Sequence, residues 1–149
     1  MKTIDGHFLI KPEDGQRQNN LPHGCVDFPS CAREWIAAWN AHDLERILTH
    51  YADDVELVSP FVSKLTGSSE STVRGKAALR DYFARGLKAF PTLRFELVRT
   101  YSGVHSGVME YHSVNGLRTA ELMEFDDQGK VRRVLAHYTP DPSEVQRHE

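Results

Sequence analysis

At 149 residues the chain is the size of one ordinary domain, long enough to bury a single hydrophobic core and too short for two good ones. Its net charge of -3, with both signs interspersed and no basic stripe, lacks the electrostatic footprint of a nucleic-acid binder. No apolar run approaches a membrane span, and the opening residues, with Lys2, Asp5, His7 and Lys11, lack the apolar stretch of a signal peptide, so a cytoplasmic location is expected.

Residues 1–28 are polar and punctuated by Gly6, Pro12, Gly15, Pro22 and Gly24, which reads as an irregular arm. Only residues 7–10 in it could form a strand or docking segment. The two cysteines, Cys25 and Cys31, match neither a zinc motif nor a redox pair, and both are expected as reduced thiols, with Cys31 packing at a helix start. Helical periodicity then begins: Ala32, Trp35, Ile36 and Trp39 follow the i, i+3, i+4, i+7 pattern, with Ser30 or Asp27 available as N-cap. Residues 40–42 break that helix. Asp43 can cap a second, in which Leu44, Ile47, Leu48 and Tyr51 repeat the spacing.

A strand is expected over residues 55–59, stopped by Pro60. Residues 64–72, rich in Ser, Gly and Thr, read as a flexible loop. Gly75 opens a third helix with Leu79, Tyr82, Phe83 and Leu87 on one stripe, and Pro91 ends it. The rest is strand and hairpin: residues 93–101, 104–114, a turn at Asn115-Gly116, 118–125, a turn at 127–129, and 130–139. The last ten residues carry few apolar side chains and read as a loosely held tail. The implied organisation is an arm over 1–28, one domain over 29–140 and a tail over 141–149.

Helix, helix, strand, helix and then a four-strand meander call for an α+β domain, an antiparallel sheet wrapped around helices on one face. The last two strands carry apolar residues on both faces: Met123 and Phe125 against Ala120 and Leu122, then Val134, Ala136 and Tyr138 against Val131 and Leu135. One helical layer covers one face, so a homodimer through the outer face is expected.

Glu121 is the residue that points most directly to chemistry. It shares a strand face with Met123 and Phe125. If that face is buried, desolvation raises the carboxyl pKa toward neutrality. If it lies at the sheet surface, Glu121 caps an arginine such as Arg118 or Arg132. Eight histidines invite a metal reading, but no pair has i, i+4 spacing with an adjacent acid, and no metal or other cofactor is expected. There is no Gly-rich phosphate loop and no local motif for Ser-His-Asp catalysis.

Several stretches resemble the SnoaL-like proteins of the nuclear transport factor two superfamily. They are residues 35–44 (WIAAWNAHDL), 51–55 (YADDV), Ser59-Pro60, 74–79 (RGKAAL) with Tyr82-Phe83, and the closing 124–126, 129–131 and 136–138. The resemblance implies a cone-shaped, curved antiparallel sheet around three N-terminal helices, the cystatin-like architecture. In the ketosteroid isomerase branch the first helix supplies an oxyanion tyrosine where this chain has Trp35, and the first strand a base aspartate where it has Ser59. The branch's protonated aspartate aligns with Glu121. The carboxylate that a limonene-epoxide hydrolase carries on the last strand is here Ala136. An indole is not acidic like a phenol and a lone serine is no general base, so the family's steroid isomerase mechanism is not expected.

The cone implies a cavity lined by Trp35, Trp39, Phe61, Tyr82, Phe83, Met109, Tyr111, Met123, Val134 and Tyr138, with Glu121 and Ser59 as polar points. Aromatic walls with few polar groups suit a small apolar ligand. Two functions follow. One is a cofactor-free acid/base enzyme, isomerase- or cyclase-like or hydrolase-like, acting on a small apolar carbonyl-bearing or polycyclic substrate with Glu121 moving the proton. The other is a non-catalytic dimeric module that binds a hydrophobic ligand or a protein.

Overall fold

A computed structural model of the chain describes residues 27–139. The expectations for the arm before residue 27, for Cys25, and for the tail after 139 lie outside the described residues.

The first helix, α1 (Phe28–Asn40), starts from an extended Asp27 and places Pro29 in its first turn, where a missing N–H costs nothing. Its apolar stripe buries Ala32, Trp35, Ile36 and Trp39 against β3 (Glu96–Gly103) and β4 (Ser106–His112). After a corner at Ala41 and His42, the Asp43 side chain accepts from the Arg46 N–H and caps α2 (Leu44–Leu48). Tyr51 is not the last turn of that helix, although the spacing allows it. It opens β1 (Tyr51–Val58), because its backbone pairs in parallel with Val131; either conformation buries the ring, and strand pairing decides.

The loop expected over residues 64–72 is confined to 67–71. Phe61, Val62 and Leu65 form the inward side of a short helix, α3 (Phe61–Thr66), which ends at Gly67 in the left-handed conformation. An edge strand, β2 (Thr72–Arg74), then pairs with β1 and buries Val73. The sequence showed Ser and Gly there, and of these apolar anchors only Leu65 lies within the expected loop. The third expected helix is α4 (Lys76–Ala89), with Leu79, Tyr82 and Phe83 buried.

After β3 and β4, Asn115 and Gly116 both take positive φ in a short 3₁₀ turn (Val114–Gly116), as an Asn-Gly reversal requires. The hairpin continues into β5 (Arg118–Phe125) and, after a turn in which Asp126 Oδ1 accepts from the Gln128 and Lys130 N–H groups, into β6 (Val131–Tyr138). The six strands run in the order β2-β1-β6-β5-β4-β3. All neighbours are antiparallel except β1 and β6, a parallel pair formed between distant parts of the chain.

The expected α+β architecture of helices held in a curved sheet is the architecture found. One face assignment changes: Val131 points inward with Val134, not outward with Leu135. Glu124 pairs with Arg133 and Phe125 with Val131, so the bulge inserts Arg132 and exchanges the faces before it. Cys31 is also corrected: it is disulfide-bonded rather than a reduced thiol, since absence of a zinc or redox spacing does not exclude a single structural bridge.

Candidate functional site

The concave side of the sheet and the helices enclose a cavity of about 90 Å³. Its aromatic wall is built by α1. Trp35 stacks on Phe95 with ring centroids 5.8 Å apart and meets the edge of Tyr111 at 5.3 Å, while Trp39 meets Phe83 at 4.9 Å. The α1 corner fixes this wall through one side chain: Asn40 Nδ2 donates to the Phe95 carbonyl at 2.9 Å, and Asn40 Oδ1 accepts from the Phe95 N–H at 2.7 Å. His42 Nε2 lies 2.9 Å from the Leu93 carbonyl, tying down the same segment.

Glu121 stands on the inward face of β5 and is 4 % exposed. The Arg118 and Arg132 alternative is thereby corrected: Arg118 pairs with Glu110 on the outer face, and the alternation of β5 keeps Glu121 away from it. Tyr111, one strand across, donates its hydroxyl to Glu121 Oε1 at 2.7 Å. Oε2 makes no hydrogen bond within the described residues, and Glu121 is part of the cavity wall. Burial pushes the carboxyl up to about 7, and the Tyr111 hydrogen bond only partly opposes that shift. The cross-strand partner of Glu121 is Ala136, whose methyl leaves open the space beside the carboxyl.

A second polar group faces the same cavity. Ser59 follows β1 and is buried; its Oγ accepts from the Phe61 N–H at 3.1 Å, and it shares the cavity wall with Tyr82 and Tyr138. Burial raises the Tyr82 pKa to about 12 and raises that of Tyr138 further, and the charge of Glu121 adds to both. Trp35 does not reach into the cavity as a donor. Its Nε1–H is consumed by the buried Tyr51 hydroxyl at 2.7 Å.

Of the expected lining, Trp35, Trp39, Ser59, Phe61, Tyr82, Phe83, Tyr111, Glu121 and Tyr138 do meet around this cavity. Met109, Met123 and Val134 do not. All three point inward as expected, but helix packing seals them into the core, Met123 facing instead a minor void beside Phe28 and Val131. The sequence reading missed Leu57, Leu65, Phe90, Leu93 and Phe95. The alternation of Leu93 and Phe95 was a visible signal; Leu65 was hidden in the supposed loop. Among the described residues no cluster of three or more His, Cys, Asp or Glu is placed to hold a metal, and no helix is long and apolar enough to cross a membrane.

A cone of helices and curved sheet around an apolar pocket with one buried acid is a design shared by many small-molecule-pocket proteins. The SnoaL-like domain model matches residues 32–139, and the chain belongs to that family. It is similar to a SnoaL-like protein of unknown function from Burkholderia thailandensis, with 38% identity and a TM-score of 0.70 over 75% of this chain and 94% of that one. It also resembles in fold a SnoaL-like family protein from Agrobacterium tumefaciens, provisionally assigned as an isomerase, at 16% identity and TM-score 0.60 over 74% of this chain and 96% of that one. A cystatin-fold protein from Novosphingobium aromaticivorans aligns at 19% identity and TM-score 0.57, over 71% and 93% of the two chains. No curated protein matches this chain.

Proposed function

We propose that the protein is a cofactor-free acid/base enzyme of the isomerase or cyclase kind, acting on a small apolar carbonyl compound. The observation that carries this reading is Glu121: a buried carboxyl on the cavity wall with a pKa of about 7, one oxygen of which is held by Tyr111. Near neutral pH it is present in both protonation states, so it can take a proton from one atom of a ligand and return it to another. The provisional isomerase assignment of the Agrobacterium relative is consistent with this. The cavity is smaller than the roughly 150 Å³ apolar cavity that admits benzene, so it suits a compact substrate, and a polycyclic one would have to lie largely outside it.

A non-catalytic binding module is the second reading, favoured by one observation. Glu121 is the sole charged side chain on the cavity wall among the described residues, whereas acid/base enzymes commonly divide the work between two groups. The experiment that separates the two is solvent deuterium exchange into a small ketone, followed by NMR, with the native protein and Glu121→Gln. An enzyme accelerates exchange, with a pH dependence centred near 7 that the Gln variant lacks. A binding module retains the ketone equally in both and accelerates nothing.

The same reading includes a homodimer. Tyr101, Val108, Leu122, Leu135 and Val58 stand in register across five strands of the outer face, forming an apolar row. Polar rows flank it, with Arg99 and Arg118 on Glu110 on one side and Arg74 and Arg133 on Glu56 on the other. A second copy, presenting the same row around a two-fold axis, would cover it.

A further inference from the structure

We propose that Gly86 sets the ligand-size specificity of the cavity: its missing side chain leaves a notch in the α4 wall that takes the end of a short alkyl group against the helix backbone. This rests on the reading of the cavity as a small-molecule pocket, and it holds whether Glu121 moves a proton or only faces a bound guest.

Gly86 is a glycine that the fold itself does not require. It lies inside α4 without a positive φ, and its carbonyl accepts from the Phe90 N–H at 3.0 Å. Glycine at such a place costs roughly fivefold in the folding equilibrium relative to alanine, because it loses the most backbone freedom on folding. Every other glycine among the described residues has a local reason. Gly67, Gly75, Gly116 and Gly129 take positive φ, while a Cβ on Gly103 would stand 2.8 Å from Ser106 Oγ and one on Gly107 2.5 Å from the Phe28 ring. Beyond its own helix, a Cβ on Gly86 would meet only Leu65 Cδ1, at 3.9 Å, an ordinary van der Waals contact. Neither backbone conformation nor the packing of α3 on α4 excludes alanine there.

What the missing side chain does provide is room in the cavity. Gly86 is part of its wall, and so are Tyr82 one turn earlier, Phe90 one turn later and Leu65 on α3. Two aromatic rings and an aliphatic side chain thus surround a position that presents only main chain. Close approach of a ligand to the backbone is one of the few uses that repay a glycine. The cavity holds about 90 Å³, so a single methyl group on its wall removes a substantial share of the space. The notch is one residue wide and apolar on every side but its floor, which suits a narrow saturated chain end.

The test uses the methyl ketones acetone, 2-butanone, 2-pentanone and 2-hexanone as probes, with binding followed by NMR titration of native protein and Gly86→Ala. For native protein, affinity is expected to rise roughly fourfold with each methylene that becomes buried, until the notch is full and the rise stops. In Gly86→Ala the rise should stop about one carbon earlier, with acetone affinity within twofold of native. The melting temperature of the variant should increase by a few degrees, as replacement of an unneeded helix glycine requires. The same chain-length limit in both proteins would overturn the proposal, and so would a native series with no rise at all. Uniform weakening of every ketone, or a lower melting temperature, would show that packing demands the glycine and would equally overturn it. Turnover is not read, so failure of the acid/base reading of Glu121 is registered only by the exchange experiment.

Discussion

The Tyr111 hydroxyl donates to Glu121 Oε1 at 2.7 Å, in a place where both side chains are almost fully buried. This bond divides the carboxyl into a held oxygen and a free one. Because it favours the charged form, it also keeps the Glu121 pKa below the value that burial alone would give. Tyr111→Phe should therefore raise that pKa by about one unit, the worth of one hydrogen bond to a charged group. Carboxyl-carbon NMR titration reads it. An unchanged or lower pKa would mean that the bond does not act on the ionised form.

Glu121 also sets a pH dependence of stability. Its folded pKa of about 7 lies above the ordinary 4.5, so the folded state holds a proton that the unfolded chain has released. The contribution is complete below pH 4.5, falls as pH rises through about 7 and is level above that. The loss across the window is on the order of 3 kcal/mol. Urea unfolding at a series of pH values should show this fall in native protein and not in Glu121→Gln. A rise in stability over the same window attributable to Glu121 would identify it as a paired, ionised carboxylate.

The Trp35 to Tyr51 hydrogen bond is internal support for the pocket wall. Tyr51→Phe leaves the indole N–H buried without an acceptor and should cost about 1–3 kcal/mol. In a Trp35→Phe background no donor remains to be orphaned, so the same change should cost about 1 kcal/mol less. Equal costs in the two backgrounds would show the bond to be energetically silent.

Asn40 joins α1 to the start of β3 with two hydrogen bonds to a single residue, Phe95. Asn40→Ala removes both and should destabilise the protein by about 2–3 kcal/mol. Amide exchange at Phe95 should quicken more than at Tyr111 in the sheet centre. Uniform acceleration across the two sites would instead mean only a global loss.

For the outer face, Leu122→Lys places a charge in the middle of the apolar row while leaving the inner face untouched. Sedimentation at micromolar concentration should show a dimer for the native chain and a monomer for the variant. A monomeric native chain would remove the dimer proposal.

Residue patterns alone determined the helices at Trp35 and Leu79, the Asn115-Gly116 reversal and the inward alternation of β5, because each rests on a local period or a local φ requirement. They also put Glu121 on a face with Met123, and so among apolar groups. Only the tertiary structure decided the rest. The parallel pairing of β1 with β6 joins residues about eighty apart, turns Tyr51 from helix to strand and has no local signal. The bulge at Arg132 exchanges the face of Val131, because one inserted residue shifts a period of two. Met109, Met123 and Val134 left the cavity wall for the core because an inward side chain meets either void or helix, and that depends on how the helices pack across the sheet. The same packing brought Ser59, Tyr82 and Tyr138, from three separate segments, to one cavity beside Glu121.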